Sequence, residues 1–187
     1  MVILIGQATK LFPKIIDMEK EYVGNFYLGK ATDTADSAGK VILEEPDSSK
    51  IKAINLRILE EAFSSLKGEF EQIPPMFSAL HYKGKRLYEL AREGKTVVRE
   101  PRVVKIIDLE ITNFNSPLLG FRIVCSRGTY IRSLCDEINK RLNMPAYLFS
   151  LKRVRCGNFS LDNSVSMDML KNSPSLEKFI IPASNLP

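Results

Sequence analysis

The stretch from Phe121 to Leu142 constrains the fold more than any other part of the chain. Its first five residues, 121–125, are apolar except for Arg122 and predict a strand. Gly128 then predicts a turn, and Thr129 is a candidate N-cap for a helix. The apolar residues of that helix recur at helical spacing and predict one buried face: Ile131, Leu134, Cys135, Ile138 and Leu142.

Arg132 stands in the first turn of this predicted helix, one residue past the buried face. The positive end of the helix dipole repels a cation there by a few tenths to about 1 kcal/mol. An anionic ligand or a catalytic carboxylate would also be bound at such a place, where a strand, a glycine turn and a helix start meet and the helix start carries Tyr130 and Arg132. An ordinary surface arginine beside a core-edge aromatic fits the same residues, so these residues alone leave both interpretations open.

The remaining pattern mixes helices with strands and shows no regular alternation of the two. Strands are predicted over residues 2–5, 20–29, 102–114, 119–125 and 146–154, and helices over 7–18, 55–66 and 166–171. This order predicts an α+β fold built on a mixed, largely antiparallel sheet with flanking helices.

The charge of the chain is unevenly distributed. The net charge is +5, yet residues 81–105 alone carry +5 and residues 122–155 carry +6, which leaves −6 on the remainder. Segregated charge indicates a surface for a polyanion, although two solvated basic faces give the same count. No apolar run approaches the roughly 20 residues of a membrane span. Three cysteines without a CxxC pair support neither disulfides nor zinc, so we expect a cytoplasmic protein without a metal site.

A basic and aromatic run follows the rigid, extended segment around Pro74 and Pro75. Cations that bind phosphates and flat rings that stack on bases are what an RNA-contacting insertion requires. We predict this insertion over about residues 70–105. Its predicted RNA-binding residues are His81, Lys83, Lys85, Arg86 and Tyr88, and Lys152 and Arg153 form a second basic cluster on the last long strand.

Seven short motifs, read together and in order, resemble the TruB family of tRNA pseudouridine synthases. They are residues 5–11 (IGQATKL), 20–22 with 28–29 (KEY, LG), 32–36 (TDTAD), 73–79 (IPPMFSA), 84–88 (GKRLY), 128–132 (GTYIR) and 151–153 (LKR). One such motif is weak evidence, whereas seven in order along nearly the whole chain are specific. The resemblance implies a synthase core over 1–143, containing the insertion, and a short TruB-type C-terminal region over 144–187.

The resemblance also implies a function and a set of site residues. The enzyme would flip a uridine, uridine-55, out of the tRNA T-loop and isomerise it to pseudouridine without a metal or organic cofactor. Arg132 would pair with a catalytic aspartate, and Tyr130 and Leu151 would line the pocket. Tyr22 would stack on the flipped base, a contact of about 1–3 kcal/mol against a few kcal/mol of unstacking. The expected partner is a tRNA T-stem-loop, bound by a monomer that needs no protein partner.

One family feature is missing from the 187 residues. The catalytic aspartate of the family lies in a Gly-Thr-Leu-Asp-Pro type motif upstream of the stretch that here starts at Met1, and the sequence contains no such motif. The local candidates lack that context: Asp17, Asp33, Asp36, Asp108 and Asp136. We interpret Asp136 as an ion-pair partner of Arg132 on the same helix and Asp33 and Asp36 as caps of loop N–H groups. We therefore expect a fragment that lacks its nucleophile and does not isomerise uridine alone.

Two further hypotheses stay open at this stage. Without the aspartate, the chain fits a non-catalytic RNA-binding or tRNA-folding module. A guide-RNA-dependent relative of the dyskerin type is the other, and a basic extension past Pro187 would favour it. The resemblance of the C-terminal region to bacterial members favours the stand-alone type, and the charge segregation argues against a role without nucleic acid.

Overall fold

The backbone is organised around one six-stranded antiparallel sheet, and the computed structural model describes residues 1–182. In chain order the strands are β1 (Lys20–Leu28), β2 (Lys30–Thr32), β3 (Val41–Glu44), β4 (Gly68–Gln72), β5 (His81–Tyr82), β6 (Lys85–Arg86), β7 (Arg102–Asn115), β8 (Leu118–Cys125), β9 (Ala146–Cys156) and β10 (Phe159–Ser160). The sheet has the order β10-β9-β1-β8-β7-β4, while β2 pairs with β3 and β5 with β6. The first strand therefore lies between strands from the middle and the end of the chain.

The helices are short. They are α1 (Phe12–Asp17), α2 (Ser48–Ala53), α3 (Leu56–Ser64), α4 (Leu87–Arg92), α5 (Leu134–Leu142) and α6 (Met167–Lys171), with 3₁₀ turns at Gly6–Leu11, Ile131–Ser133, Leu161–Asn163 and Glu177–Phe179. The Asn55 side chain caps α3 by accepting from the backbone N–H of Ile58 at 3.1 Å. The α5 helix ends at Asn143, whose left-handed backbone (φ 46°) stops it.

The hydrophobic core lies between one face of the sheet and helices α3 and α5. Phe26 of β1 and Phe121 of β8 are fully buried there, with their rings stacked at 4.3 Å. Leu59 of α3 and Leu134 of α5 are equally buried. Burial of each such side chain stabilises the fold by about 1.5–3 kcal/mol, which is why the apolar periodicity predicted these helices correctly.

The opposite face of the sheet carries a network of charges. Arg122 donates to the Glu21 carboxylate at 2.6 Å and to Asp108 at 2.8 Å, and Arg155 donates to the second Glu21 oxygen at 2.7 Å. The hydrogen bond from Arg155 lowers the pKa of the Glu21 carboxyl, and that from Arg122 contributes less in the same direction. Burial acts in the opposite direction. One face of the sheet is thus built for the core and the other for polar contacts.

The α+β prediction is confirmed, but the predicted strand over residues 2–5 is wrong. Residues 1–5 form no strand, and Ile3 and Ile5 are 64% and 66% exposed. An apolar stretch becomes a strand only where a neighbour supplies hydrogen-bond partners, and no part of residues 1–182 pairs with it. The division after residue 143 stays a prediction, although β9 is a full member of the sheet. Residues 183–187 of the predicted C-terminal region lie outside the described residues.

Over the described part of the chain, no helix combines the length and apolar character needed to cross a bilayer. The same residues contain no cluster of three or more His, Cys, Asp or Glu side chains able to hold a metal ion.

Candidate active site and nucleic-acid interface

Arg132 is the centre of the candidate site because its guanidinium ties three separate segments together. Its Nη1 donates to the Asp36 carboxylate at 3.0 Å and lies 3.4 Å from the Thr34 carbonyl. Its Nη2 donates to the Phe77 carbonyl at 2.6 Å. The side chain is about a quarter exposed, so these partners fix the cation while part of it faces solvent.

Thr129 does not cap the helix, contrary to the prediction. Its hydroxyl donates to the Ser126 carbonyl at 3.0 Å, and the chain runs through the 3₁₀ turn at Ile131–Ser133 before α5 starts at Leu134. Arg132 therefore lies ahead of α5 rather than inside its first turn. Asp136 is not the partner of Arg132 either, since Asp36 from a distant loop takes that position.

The loop over residues 32–40 is built to present the Asp36 carboxylate. Its Oδ1 accepts from the Thr34 hydroxyl at 2.7 Å and from the Ala38 N–H at 3.1 Å, which leaves Oδ2 for Arg132. The loop is fastened to β9, because the Leu148 N–H donates to Ala35 at 3.0 Å and the Ser37 N–H donates to Leu148 at 3.1 Å. Asp36 thus caps a local N–H, as predicted, and also orients the arginine, which the prediction missed.

Tyr22, Leu151 and Arg153 share the core-side face of the sheet. Tyr22 of β1 lies directly opposite Arg153 of β9, and Gly24 lies opposite Leu151. Side chains of directly opposed residues point to the same face. A bulge at Phe149 produces this register, since Asn25 opposes Ser150 while Phe26 opposes Leu148. Without the bulge, Leu151 would point to the charged face.

Gly24 is required where these side chains meet. A Cβ at this position would run into the Ser150 carbonyl and lie 3.0 Å from the Phe121 ring. The glycine allows the Ser150 carbonyl and the Phe121 ring to approach its backbone closely, directly opposite Leu151, which is 42% exposed. Burial raises the pKa of the Tyr22 hydroxyl, with the Arg153 guanidinium acting in the opposite direction. Tyr22 is therefore a neutral, half-buried ring with one side against the core, which suits the predicted stacking contact.

Tyr130 is held by its backbone. Its N–H donates to Oε1 of Gln72 at 2.8 Å, and its carbonyl accepts from Nε2 of Gln72 at 3.1 Å. Gln72 is only 4% exposed although it ends the edge strand β4. Sequence reasoning did not identify Gln72, and its only signal there is a polar residue directly before an Ile-Pro-Pro segment.

The predicted RNA-contacting residues form an exposed hairpin and the helix that follows it. Lys83 and Gly84 make the two-residue turn between β5 and β6, and both have positive φ, 48° and 85°. His81 and Arg86 oppose each other across this hairpin, and the Arg86 guanidinium lies 6.0 Å from the Tyr88 ring.

Lys85 differs from the other cations of this hairpin because it is paired with Glu93 at 3.1 Å. The hairpin is also tied to the arginine site: the Tyr88 N–H donates to the Ser78 carbonyl at 3.1 Å, next to the Phe77 carbonyl that binds Arg132.

Lys152 and Arg153 do not form one basic cluster. Arg153 opposes Tyr22 on the core-side face, whereas Lys152 opposes Val23 and points to the charged face. The same alternation separates Leu151 from Lys152. A depression of about 300 Å³ beside Lys152 also touches Leu151 but includes neither Tyr22 nor Arg132, so it is not the predicted substrate pocket.

A sequence model described as TruB family pseudouridylate synthase (N terminal domain) matches residues 1–131. The chain belongs to the TruB family. Among its TruB relatives, the tRNA pseudouridine synthase B of Clostridium tetani is 45% identical over 185 residues, a match that covers 97% of this chain and 61% of the relative. That of Francisella philomiragia is 38% identical over 182 residues, covering 97% of this chain and 59% of the relative. This TruB chain therefore spans about three fifths of the length of these relatives.

Solved structures show the same fold at low sequence identity. A Cbf5-Nop10-Gar1 complex contains a chain with a TM-score of 0.60 and 24% identity, and the match covers 89% of this TruB chain and 39% of that one. An H/ACA RNP bound to a substrate RNA containing 2'-deoxyuridine gives a TM-score of 0.55 at 20% identity, covering 89% and 37%. The sheet and its flanking helices are thus an arrangement that is already known from solved structures.

Proposed function

We propose that this chain is the larger part of a tRNA pseudouridine synthase that converts a uridine of the T-loop, uridine-55, to pseudouridine. The observation that carries the proposal is the fixed guanidinium of Arg132, held by Asp36 and the Phe77 carbonyl in a TruB-family chain. The tRNA named in its relatives supports the substrate class.

The reaction is an isomerisation, so the substrate keeps all its heavy atoms. The bond between N1 of uracil and C1' of the ribose breaks, the base turns, and C5 forms the new bond to C1'. C5 loses a proton and N1 gains one. A carboxylate at the sugar and a desolvated site are what these steps need, and Arg132 is the cation against which such a carboxylate is held.

We propose that the nucleophilic carboxylate comes from residues outside these 187. Two observations support this: the Gly-Thr-Leu-Asp-Pro type motif is absent, and the chain spans about three fifths of its relatives. We assign Asp36 to orienting Arg132 instead, because its other oxygen holds its own loop together through the Thr34 hydroxyl and the Ala38 N–H. Within residues 1–182, the Nε–H of Arg132 and one N–H of its Nη2 make no hydrogen bond, so two donors remain for a second carboxylate.

Tyr22, Tyr130 and Leu151 are proposed to receive the flipped base. Tyr22 and Leu151 share one face of the sheet, on the neighbouring strands β1 and β9. The β5–β6 hairpin is proposed to bind the T-stem-loop backbone, with Lys83 and Arg86 as its available cations, since Lys85 is partly neutralised by Glu93. No metal or organic cofactor enters the proposal, and a cytoplasmic monomer acting on free tRNA is the form we propose.

A non-catalytic RNA-binding or tRNA-folding module is the second candidate, and the missing aspartate motif favours it. A guide-dependent enzyme has no comparable support, because the likeness to Cbf5 structures at 24% identity concerns the fold.

Pseudouridine formation on a T-stem-loop RNA separates the two candidates. This chain is compared with the same chain expressed with its in-frame upstream coding sequence. Turnover by the longer protein alone is the expected result, with Arg132→Ala abolishing turnover while RNA binding stays largely intact. Binding by both proteins without turnover by either establishes the module. Turnover by this chain alone would show that one of its own aspartates is the nucleophile.

A further inference from the structure

The backbone that carries Arg132 is held on both sides by the end of β4. The Gln72 amide makes two hydrogen bonds to Tyr130, two residues before the arginine. The Ser133 hydroxyl, one residue after it, donates to the Ile73 carbonyl at 3.2 Å. The arginine side chain then reaches forward to the Phe77 carbonyl. The segment from Gln72 to Phe77 therefore surrounds Arg132 from its backbone to its guanidinium.

Gln72 is an unusual residue for its place. A primary amide at the end of an edge strand would normally face water, yet only 4% of Gln72 is exposed. Burial of an amide without hydrogen-bond partners is unfavourable. Here one amide oxygen and one amide N–H match the N–H and carbonyl of a single residue, Tyr130, at 2.8 and 3.1 Å. An apolar side chain of the same size fills the space but leaves both backbone groups without these bonds.

We infer that Gln72 is a positioning residue for Arg132, acting through the Tyr130 backbone, and that it sets the alignment of the guanidinium with the reacting carboxylate. The inference rests on the proposed function. A displacement of about 1 Å in a group that aligns reacting atoms lowers the rate by roughly 10²-fold. The Gln72 amide bonds the Tyr130 backbone and not the β5–β6 hairpin, so we expect its loss to lower the rate of the chemical step more than RNA binding.

The test uses the protein with its in-frame upstream coding sequence and compares Gln72→Leu with Glu69→Leu. Glu69 lies on the same strand, is exposed, and has only an ion pair to Lys105 at 4.0 Å. Both variants are assayed for kcat and KM on a T-stem-loop RNA, after circular dichroism has confirmed that they are folded at the assay temperature. We expect kcat of Gln72→Leu to fall roughly 10- to 100-fold with KM nearly unchanged, while Glu69→Leu keeps both values.

Gln72→Glu supplies a second readout that a purely structural role would not produce. Its carboxylate still accepts from the Tyr130 N–H, but it donates to the Tyr130 carbonyl only when it is protonated. Burial raises the pKa of such a carboxyl. The kcat of Gln72→Glu relative to wild type should therefore rise as the pH is lowered, in contrast to the ratio for Gln72→Leu.

Four outcomes decide the matter. A selective loss of kcat in Gln72→Leu with recovery of Gln72→Glu at low pH supports the inference. A wild type that turns over while Gln72→Leu keeps its kcat overturns the inference and leaves the proposed function standing. A higher KM for Gln72→Leu with an unchanged kcat also overturns the inference, because Gln72 would then act on RNA binding. A wild type that binds RNA but never isomerises it overturns the proposed function, and the inference falls with it.

Discussion

The pairing of Asp36 with Arg132 leads to a stability prediction that depends on the tertiary structure. Asp36→Ala removes three hydrogen bonds: from the Thr34 hydroxyl at 2.7 Å, from the Ala38 N–H at 3.1 Å and from Arg132 at 3.0 Å. Hydrogen bonds to a charged group contribute about 1.5–3 kcal/mol each when buried. The Asp36 side chain is 27% exposed, so hydrogen bonds to water in the variant and in the unfolded chain offset part of this stabilisation. We expect the free energy of unfolding to fall by about 2–4 kcal/mol.

Asp33→Ala is the matched control, because it lies in the same loop and undergoes the same change. Asp33 accepts one hydrogen bond, from the Lys40 N–H at 2.8 Å, and is exposed, so its removal should cost about 0.5–1.5 kcal/mol. Urea unfolding followed by circular dichroism measures both variants. With a slope of about 2 kcal/mol/M, the midpoint for Asp36→Ala should move by about 1–2 M and that for Asp33→Ala by well under 1 M. Equal shifts in the two variants would show that the contact with Arg132 contributes nothing to stability.

Three other predictions follow from the sheet and the hairpin. Gly24→Ala should lower the free energy of unfolding by about 1–3 kcal/mol, since its Cβ meets the Ser150 carbonyl; an unchanged urea midpoint would contradict this close approach. Glu21 has a lowered pKa beside Arg155, so its contribution to stability is present above its unfolded pKa of about 4.3 and is lost as the pH falls through the folded pKa. Glu21→Gln should therefore destabilise the chain at neutral pH and flatten its acid unfolding profile, and parallel profiles would count against the network. Lys83→Ala should weaken T-stem-loop binding and reduce the slope of log affinity against log salt by roughly one, as measured by fluorescence titration, whereas an unchanged slope would remove this residue from the interface.

The elements that periodicity predicted well are those whose apolar residues meet one surface. Helix α3 and strands β7 and β8 lie where the sequence placed them, because burial of residues such as Leu59 and Phe121 dominates their local energetics. The hairpin turn at residues 83–84 was not predicted, because a basic and aromatic run does not by itself show the two positive φ angles that Lys83 and Gly84 adopt. The strand predicted over 2–5 failed because strand formation depends on a partner, which local sequence does not reveal.

The candidate site divides in the same way. The family and the basic character of the insertion could be inferred from motifs and charge along the chain, since these are properties of residue type and spacing. The same motifs selected Arg132 as a candidate site residue, and its catalytic role stays a prediction. The partners of Arg132 could not be inferred, because Asp36 and Phe77 are 96 and 55 residues away in sequence and approach it only in the folded chain. The burial of Gln72 could not be predicted either, because it also depends on long-range contacts. Nor could the bulge at Phe149 be predicted, which places Leu151 on the same face of the sheet as Tyr22 and Lys152 on the charged face. The sequence determines the chemistry of each residue. Strand register and long-range contacts form only when the sheet assembles, and they decide which residues can act together.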